Sequence, residues 1–253
     1  MIVLETVAVA FSMFSSLPVP QVKWNERNMR YSLCAFPLVG AAIALAMTAL
    51  DRLCQSLALP AVLRGAGLCL LPALITGGIH LDGYADTWDA ISSHSNAEKR
   101  QEILKDPHLG AFAAIRLCMY FLADYALWTA SEKLRFPVLL GMFCLSRSLS
   151  GLALTHFPLR PGSGLARSFA EAAHKKRVRA FLLTLSLGLC ALLLSLRAGE
   201  LVLAAGLVFW YYRRMCARDF GGLSGDLAGW FLQTAELWML AAMIVRHYAE
   251  AVL

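Results

Sequence analysis

Charged side chains are scarce in this chain. Asp, Glu, Lys and Arg together make 16% of its 253 residues, where a soluble domain carries about a quarter. That shortage argues against a water-soluble globule. Metal-type cysteine spacing is missing too. The seven cysteines, Cys34, Cys54, Cys69, Cys118, Cys144, Cys190 and Cys216, include no C-x-x-C pair. The number is odd and nearly all sit in apolar runs, so they read as small buried hydrophobes with reduced thiols. No nucleic-acid-binding motif accompanies the net charge of +6, so nucleic acid is not an expected partner. There is no internal repeat and no low-complexity tract. The N-terminus has neither a basic start nor an A-x-A pattern and is not expected to be a signal peptide.

What the chain has is hydrophobic length. Apolar residues make 58% of it, and the mean hydropathy is +0.59. This predicts an all-α fold: one membrane domain over residues 1–253, a polytopic helical bundle of about seven transmembrane helices. The spans are expected near 31–50, 59–79, 108–130, 136–156, 180–196, 201–212 and 227–247. Residues 2–17 are apolar but slightly short of the ~20 residues a span needs. They fit an N-terminal interfacial helix or an oblique crossing. Gly40, Gly67, Gly141, Gly188 and Gly206 fall inside spans, where small residues let helices approach closely.

Alternation puts segments 21–30, 80–107, 157–179 and 213–226 on one side. They hold fifteen of the 23 Lys and Arg residues. The other side holds Arg52, Lys133, Arg135, Arg197 and Arg246, and Arg64, Arg116 and Arg147 lie in spans. The positive-inside rule makes the fifteen cytoplasmic. The expected location is a bacterial inner membrane, multi-pass, with active-site loops 80–107, 157–179 and 213–226 facing the cytoplasm. The basic excess suits anionic lipid and phosphorylated substrates.

The richest stretch is Gly77-Gly78-Ile79-His80-Leu81-Asp82-Gly83-Tyr84-Ala85-Asp86-Thr87-Trp88-Asp89. On a helix each residue advances about 100°. Asp82, Asp86 and Asp89 then share one face within roughly 60°, and three such charges repel unless a cation neutralises them. A solvated acidic helix start is the plain alternative. A divalent-metal site is the chemical one, because hard oxygen ligands suit Mg²⁺. On the same helix His80 faces away from Asp82.

Four further clusters carry chemistry. Lys105-Asp106-Pro107-His108-Leu109-Gly110 opens the third span. Asp106 there can cap the helix with Pro107 in its first turn, or Lys105 and His108 can contact phosphate. Gly221-Gly222-Leu223-Ser224-Gly225-Asp226 opens the last span. A Gly-rich turn at a helix N-terminus presents N–H groups to an anion, with Gly222, Gly225 and Asp226 as candidates. Arg147 lies inside the fourth span, where an arginine faces a partner or a watery cavity. Asp124 and Glu236 are in-span charges that can neutralise it, and a substrate phosphate is the other partner that fits. Last, the glycines and arginines from Arg160 to Phe169 would cover an anionic ligand.

In this order the pieces resemble the adenosylcobinamide-GDP ribazoletransferase family, multispanning enzymes of late vitamin B12 assembly. The likeness runs through nearly the whole chain. It rests on Leu17 to Pro20, Phe36 to Gly40, Ser146-Arg147, and Gly221 to Gly229 with Glu236 beyond. Its most specific part is the family's G-G-x-H-x-D-G-x-A-D-x-x-D, which Gly77 to Asp89 match at every fixed position. Departures are Ser15-Ser16 for Thr-Arg, Pro107-His108 for Ser-Arg, and Ala166 for Gly.

The resemblance implies Mg²⁺-assisted phosphoryl transfer. The 5′ oxygen of α-ribazole, or of its 5′-phosphate, attacks the phosphorus next to cobinamide in adenosylcobinamide-GDP. GMP leaves, and adenosylcobalamin or its phosphate forms. Mg²⁺ would sit on Asp82, Asp86 and Asp89, with Lys105 and Arg147 on phosphate oxygens. His80 would orient a ligand, act as general base, or make a structural hydrogen bond. Expected partners are those substrates, membrane lipid, and a second copy or other cobalamin-assembly enzymes. A CDP-alcohol phosphotransferase is the nearest rival, but its D-G-x-x-A-R is absent. A small cation or metabolite transporter would string charges through the membrane interior, whereas here they gather at one face.

Overall fold

The computed structural model describes residues 2–252 except 105, 107, 133, 161 and 162. Its regular elements are twelve helices among the described residues: α1 (Ile2–Phe14), α2 (Glu26–Met29), α3 (Ser32–Ser56), α4 (Ala61–Thr76), α5 (Ile79–Ser92), α6 (Ala97–Ile103), α7 (Ala111–Ala130), α8 (Phe136–His156), α9 (Gly164–Ala172), α10 (Lys175–Ser195), α11 (Gly199–Asp219) and α12 (Gly225–Val252). The one β feature described is an isolated parallel bridge between Leu159 and Leu223.

Length and apolar composition mark the candidate membrane spans. Five, α3, α7, α8, α10 and α12, are long and apolar enough, and the bent pair α4 and α5 makes a sixth if taken together. The sequence suggested about seven. The difference lies in α11, whose Arg213, Arg214, Arg218 and Asp219 make it too polar to count by composition, although its 21 residues run the length of the bundle, from Glu200 beside Arg246 to Asp219 beside Arg100 at the site end. The N-terminal helix α1 has 13 residues, about 20 Å at 1.5 Å each, and does not reach across a ~30 Å hydrocarbon core. It docks instead. Val9 and Ala10 are fully buried, and beyond its end the Ser16 amide donates to Ile75 O at 2.8 Å.

Helix α8 is the axis of the bundle, with 83% of its apolar window buried, against 22% for α7 and 28% for α10. The last two therefore turn most of their surface to lipid. Close approach follows from glycine, since a β-carbon on Gly40 of α3 would collide with the Phe143 backbone of α8. Two buried ion pairs tie the helices together. Arg64 of α4 pairs with Asp51 of α3 at 2.5 Å, and donates to Ser131 O and Glu132 O in the α7–α8 connection. Arg147 of α8 pairs with Glu236 of α12 at 2.5 Å.

The segments expected as polar loops are largely helical. Residues 80–107 contain α5 and α6, 157–179 contain α9 and the start of α10, and 213–226 begin with the last turns of α11. Polarity marked them as outside the bilayer but does not forbid helix, because an amphipathic helix buries one stripe and solvates the other. The most consequential case is α5. Gly77 (φ 65°) ends α4 and Gly78 (φ 78°) starts α5, both left-handed, and the axis turns by 95° between them. A helix at right angles to a crossing one runs along the membrane plane, so α5 lies outside the spanning segments.

Candidate active site

The bend delivers the acidic stretch to the head of α12. Two glycines make the contact close enough. A β-carbon on Gly83 would stand 2.7 Å from Asp226 O, and one on Gly229 would stand 2.8 Å from His80 O. Backbone thus meets backbone, and the side chains on either side of Gly83 are set beside Asp226. Asp82 is exposed and Asp86 half-buried. Burial, then the charges of Asp82, Asp226 and Asp89, push the Asp86 carboxyl up to about 7. Four acids therefore share one electrostatic neighbourhood.

Beside them opens a cavity of about 350 Å³, lined by His80, Asp82, Arg160, Ser163 and Asp226 and by apolar side chains that include Phe14, Phe36 and Phe169. His80 is 5% exposed, and its Nε2 has no hydrogen-bond partner. Burial and the nearby Arg147 charge hold the imidazole down to about 3, so it is neutral at physiological pH. The structural hydrogen bond left open for His80 is therefore not made at Nε2 among the described residues.

The other candidates fall differently. The carboxylate oxygens of Asp89 occupy the space over Gly110, at the start of α7, where a β-carbon would stand. Asp89 thus turns toward α7, away from the cavity lined by Asp82 and Asp226. Asp106 does not cap α7, whose N-cap is Gly110. It accepts instead from the His108 amide at 3.0 Å and faces its Nδ1 at 2.7 Å. Those contacts hold the Asp106 carboxyl below its usual range, and the pair is solvent-exposed. Lys105 lies outside the described residues. Arg147 is committed to Glu236, Ser146 Oγ and Phe143 O, which is the neutralised-in-bundle reading. The anion-turn reading of Gly222 gives way: its amide donates to Cys216 O at 2.8 Å. Its need for glycine comes from φ 148° and from the Arg160 amide 2.7 Å from where a β-carbon would stand. Gly225 opens α12 at the cavity rim. Ser224 Oγ, which accepts from the Leu227 amide at 3.4 Å, is the cap there. Asp226 is left to face the cavity.

The donor set suits a hard divalent cation in chemistry: clustered carboxylates with an elevated carboxyl among them. Among the described residues, no three His, Cys, Asp or Glu side chains converge as a ready-made cage. Mg²⁺ does not require one, because it keeps several waters and is held by one or two carboxylates plus substrate phosphates.

Arg160 and Ser163 are the functional candidates the sequence left unranked. Both sat inside a basic stretch with many solvated cations, and nothing local says which one is buried.

Comparison with known proteins agrees with the motif. Residues 6–244 match the family described as cobalamin-5-phosphate synthase. The chain is similar to the adenosylcobinamide-GDP ribazoletransferase of Lachnoclostridium phytofermentans, at 40% identity covering 96% of this chain and 94% of the relative. The protein of that name from Pseudomonas putida W619 is 36% identical over 93% and 96%, and that from Clostridium perfringens SM101 is 28% identical over 92% and 94%. No solved structure matches.

Proposed function

The chain belongs to the cobalamin-5-phosphate synthase family and is a membrane-embedded transferase of cobalamin biosynthesis; from that premise we propose that it joins adenosylcobinamide-GDP to α-ribazole or α-ribazole 5′-phosphate with release of GMP. The observation that carries the reading is the acidic neighbourhood of Asp82, Asp86 and Asp226, beside a cavity sized for a small molecule. A phosphoryl transfer needs charge neutralised and partners aligned, with little covalent help from protein. These residues fit that need.

In the proposed step a free ribose hydroxyl oxygen of the acceptor bonds to the phosphorus attached to cobinamide; it is not the 5′ oxygen, because in α-ribazole 5′-phosphate that oxygen is already esterified. The bond from that phosphorus to the GMP oxygen breaks, and the hydroxyl proton passes to solvent. One or two of the carboxylates of Asp82, Asp86 and Asp226 would hold Mg²⁺ together with water and substrate phosphate, and the ion would supply charge neutralisation there. The rigid seating of Gly83 on Asp226 fixes the distance between the two acidic elements. His80 holds a ligand group through Nε2 and does not take the proton, since an imidazole held near 3 is a poor base at neutral pH. The site faces the cytoplasm, where phosphorylated metabolites are supplied.

The test is purified protein with Mg²⁺, adenosylcobinamide-GDP and α-ribazole or its 5′-phosphate. GMP and a cobalamin should appear together and stop on chelation. Neither product from folded protein with either acceptor would sink the assignment.

A further inference from the structure

The cavity beside the acids contains a cation that the bundle does not use. Arg160 is 3% exposed, and its Nε and Nη1 have no hydrogen-bond partner. No carboxylate lies within ion-pair distance of its guanidinium among the described residues, although its charge reaches Asp226. A buried unpaired charge is costly, and the fold goes to some length to hold this one in place. The Arg160 amide donates to Leu223 O at 2.9 Å, in a bridge completed by the Leu223 amide on Pro158 O at 2.8 Å. Gly222, where a side chain would collide with the Arg160 amide, lets that bridge close. Arg160 is thus pinned to the Gly-rich turn that leads into Asp226.

The rest of the cavity says what would meet the cation. Phe14, Phe36 and Phe169 line it, with ring centroids 4.1 Å apart for Phe14 and Phe36 and 5.5 Å for Phe14 and Phe169. Ser163 Oγ, like His80 Nε2, is buried on the lining without a partner. An aromatic wall, unpaired hydroxyl and imidazole groups, and one guanidinium ask for a flat ring, a hydroxylated middle and an anionic end. Guanidinium groups match phosphate oxygens in shape and charge.

We infer that this cavity is a nucleoside 5′-phosphate subsite, with Arg160 on the phosphate, the phenylalanine wall against the base, and Ser163 and His80 on the sugar or base edge. At about 350 Å³ it sits near the small end of ligand pockets. It takes a nucleotide and leaves a corrin with its side arms outside. The inference rests on the reading above, which offers two ligands of this chemistry: the GMP half of the donor and a ribazole phosphate acceptor.

Calorimetry on the purified full chain distinguishes them. GMP, guanosine, α-ribazole 5′-phosphate and α-ribazole are titrated into the wild type and into Arg160→Met. At least one nucleotide should bind the wild type about tenfold or more tighter than its nucleoside. The variant should lose that increment while nucleoside affinity changes less than about threefold. Tight GMP assigns the cavity to the donor, and tight ribazole phosphate to the acceptor. Binding that ignores Arg160, or nucleotide and nucleoside weakening alike, overturns the inference, as does no nucleotide binding at all. The unliganded melting temperature is the second readout. Removing an unused buried charge should leave it unchanged or raised, and a fall would make Arg160 a structural residue. Turnover is scored separately: product formed with Arg160-independent nucleotide binding sinks this inference alone. Nucleotide binding without product sinks the assigned reaction and leaves the subsite.

Discussion

A β-carbon at position 83 would stand 2.7 Å from the Asp226 backbone oxygen, and both acidic elements meet there. Gly83→Ala forces α5 and α12 apart, and misplacement near 1 Å costs on the order of a hundredfold in rate. Turnover at saturating substrate should show that loss while the protein still inserts. Gly78 differs, because its φ is 78° but nothing lies within 4 Å of a β-carbon there. Gly78→Ala should cost about 1 kcal/mol of stability from backbone conformation alone, read as a lower unfolding midpoint with activity largely kept. Asp86 gives a pH test. Its folded carboxyl, raised to about 7, stands above its ordinary value of 3.8, so between those values the native state binds more protons than the unfolded one. Stability from this group then falls as pH rises through that window. Without divalent cation the protein should melt lower at pH 8 than at pH 6, and Mg²⁺ should restore the loss at pH 8. A melting temperature indifferent to Mg²⁺ at pH 8 would count against a cation at these acids. The sequence showed the acids because their spacing is local. It named Arg160 only as one of several loop cations and did not show its burial without a partner, or Asp89's turn toward Gly110, because those depend on which neighbour arrives from a distant helix.

At the scale of elements, α8 was legible to the residue, at 136–156, because Pro137 near its start and an unbroken apolar run bound it. The helix α5 was not. Gly77-Gly78 reads equally as the end of one span and the start of a loop, and only their paired left-handed conformation makes it a right-angle turn between two helices. The opposite end of the bundle depends on a tie the sequence also hid. Arg64 and Asp51 are 13 residues apart, yet they join three elements through Ser131 O, Glu132 O and the Leu134 amide. Removing one partner strands the other's buried charge, at about 3–5 kcal/mol. Arg64→Met should therefore sharply lower the thermal midpoint. The double variant Arg64→Met with Asp51→Leu should recover part of it, because two apolar groups leave no unpaired charge. Equal midpoints for the two variants would show that the pair contributes through packing alone.

For the whole molecule, the question is which way the bundle sits in its membrane. The site end gathers Asp82, Asp86, Asp226 and Arg160. Helix α12 leaves that end at Gly225 and runs 28 residues to Val252, about 42 Å at 1.5 Å per residue. That exceeds the ~30 Å hydrocarbon core, so the C-terminus emerges on the face opposite the site. Segments 21–30, 80–107, 157–179 and 213–226 carry fifteen of the 23 Lys and Arg residues. Part of this excess now lies on helices α6, α9, α10 and α11 rather than in loops, but the helices do not carry it to the far side. By sequence the far side has Arg52, Lys133, Arg135, Arg197 and Arg246; Arg246 is neutralised by Glu200 at 2.8 Å and Glu250 at 2.8 Å, and on the site side Lys99, Arg100 and Arg167 have acidic partners as well. Acidic partners leave the ratio unchanged, and the positive-inside rule counts Lys and Arg rather than net charge, so the orientation we propose puts the site in the cytoplasm. A periplasm-dependent phosphatase fused after residue 253 should be active in a bacterial host, and a fluorescent protein fused there should stay dark. The same reporters inserted after residue 95, in the α5–α6 connection, should give the reverse. A bright fluorescent fusion at the C-terminus would turn the acidic cluster outward, away from its nucleotide substrates, and would contradict the orientation and the proposed chemistry together.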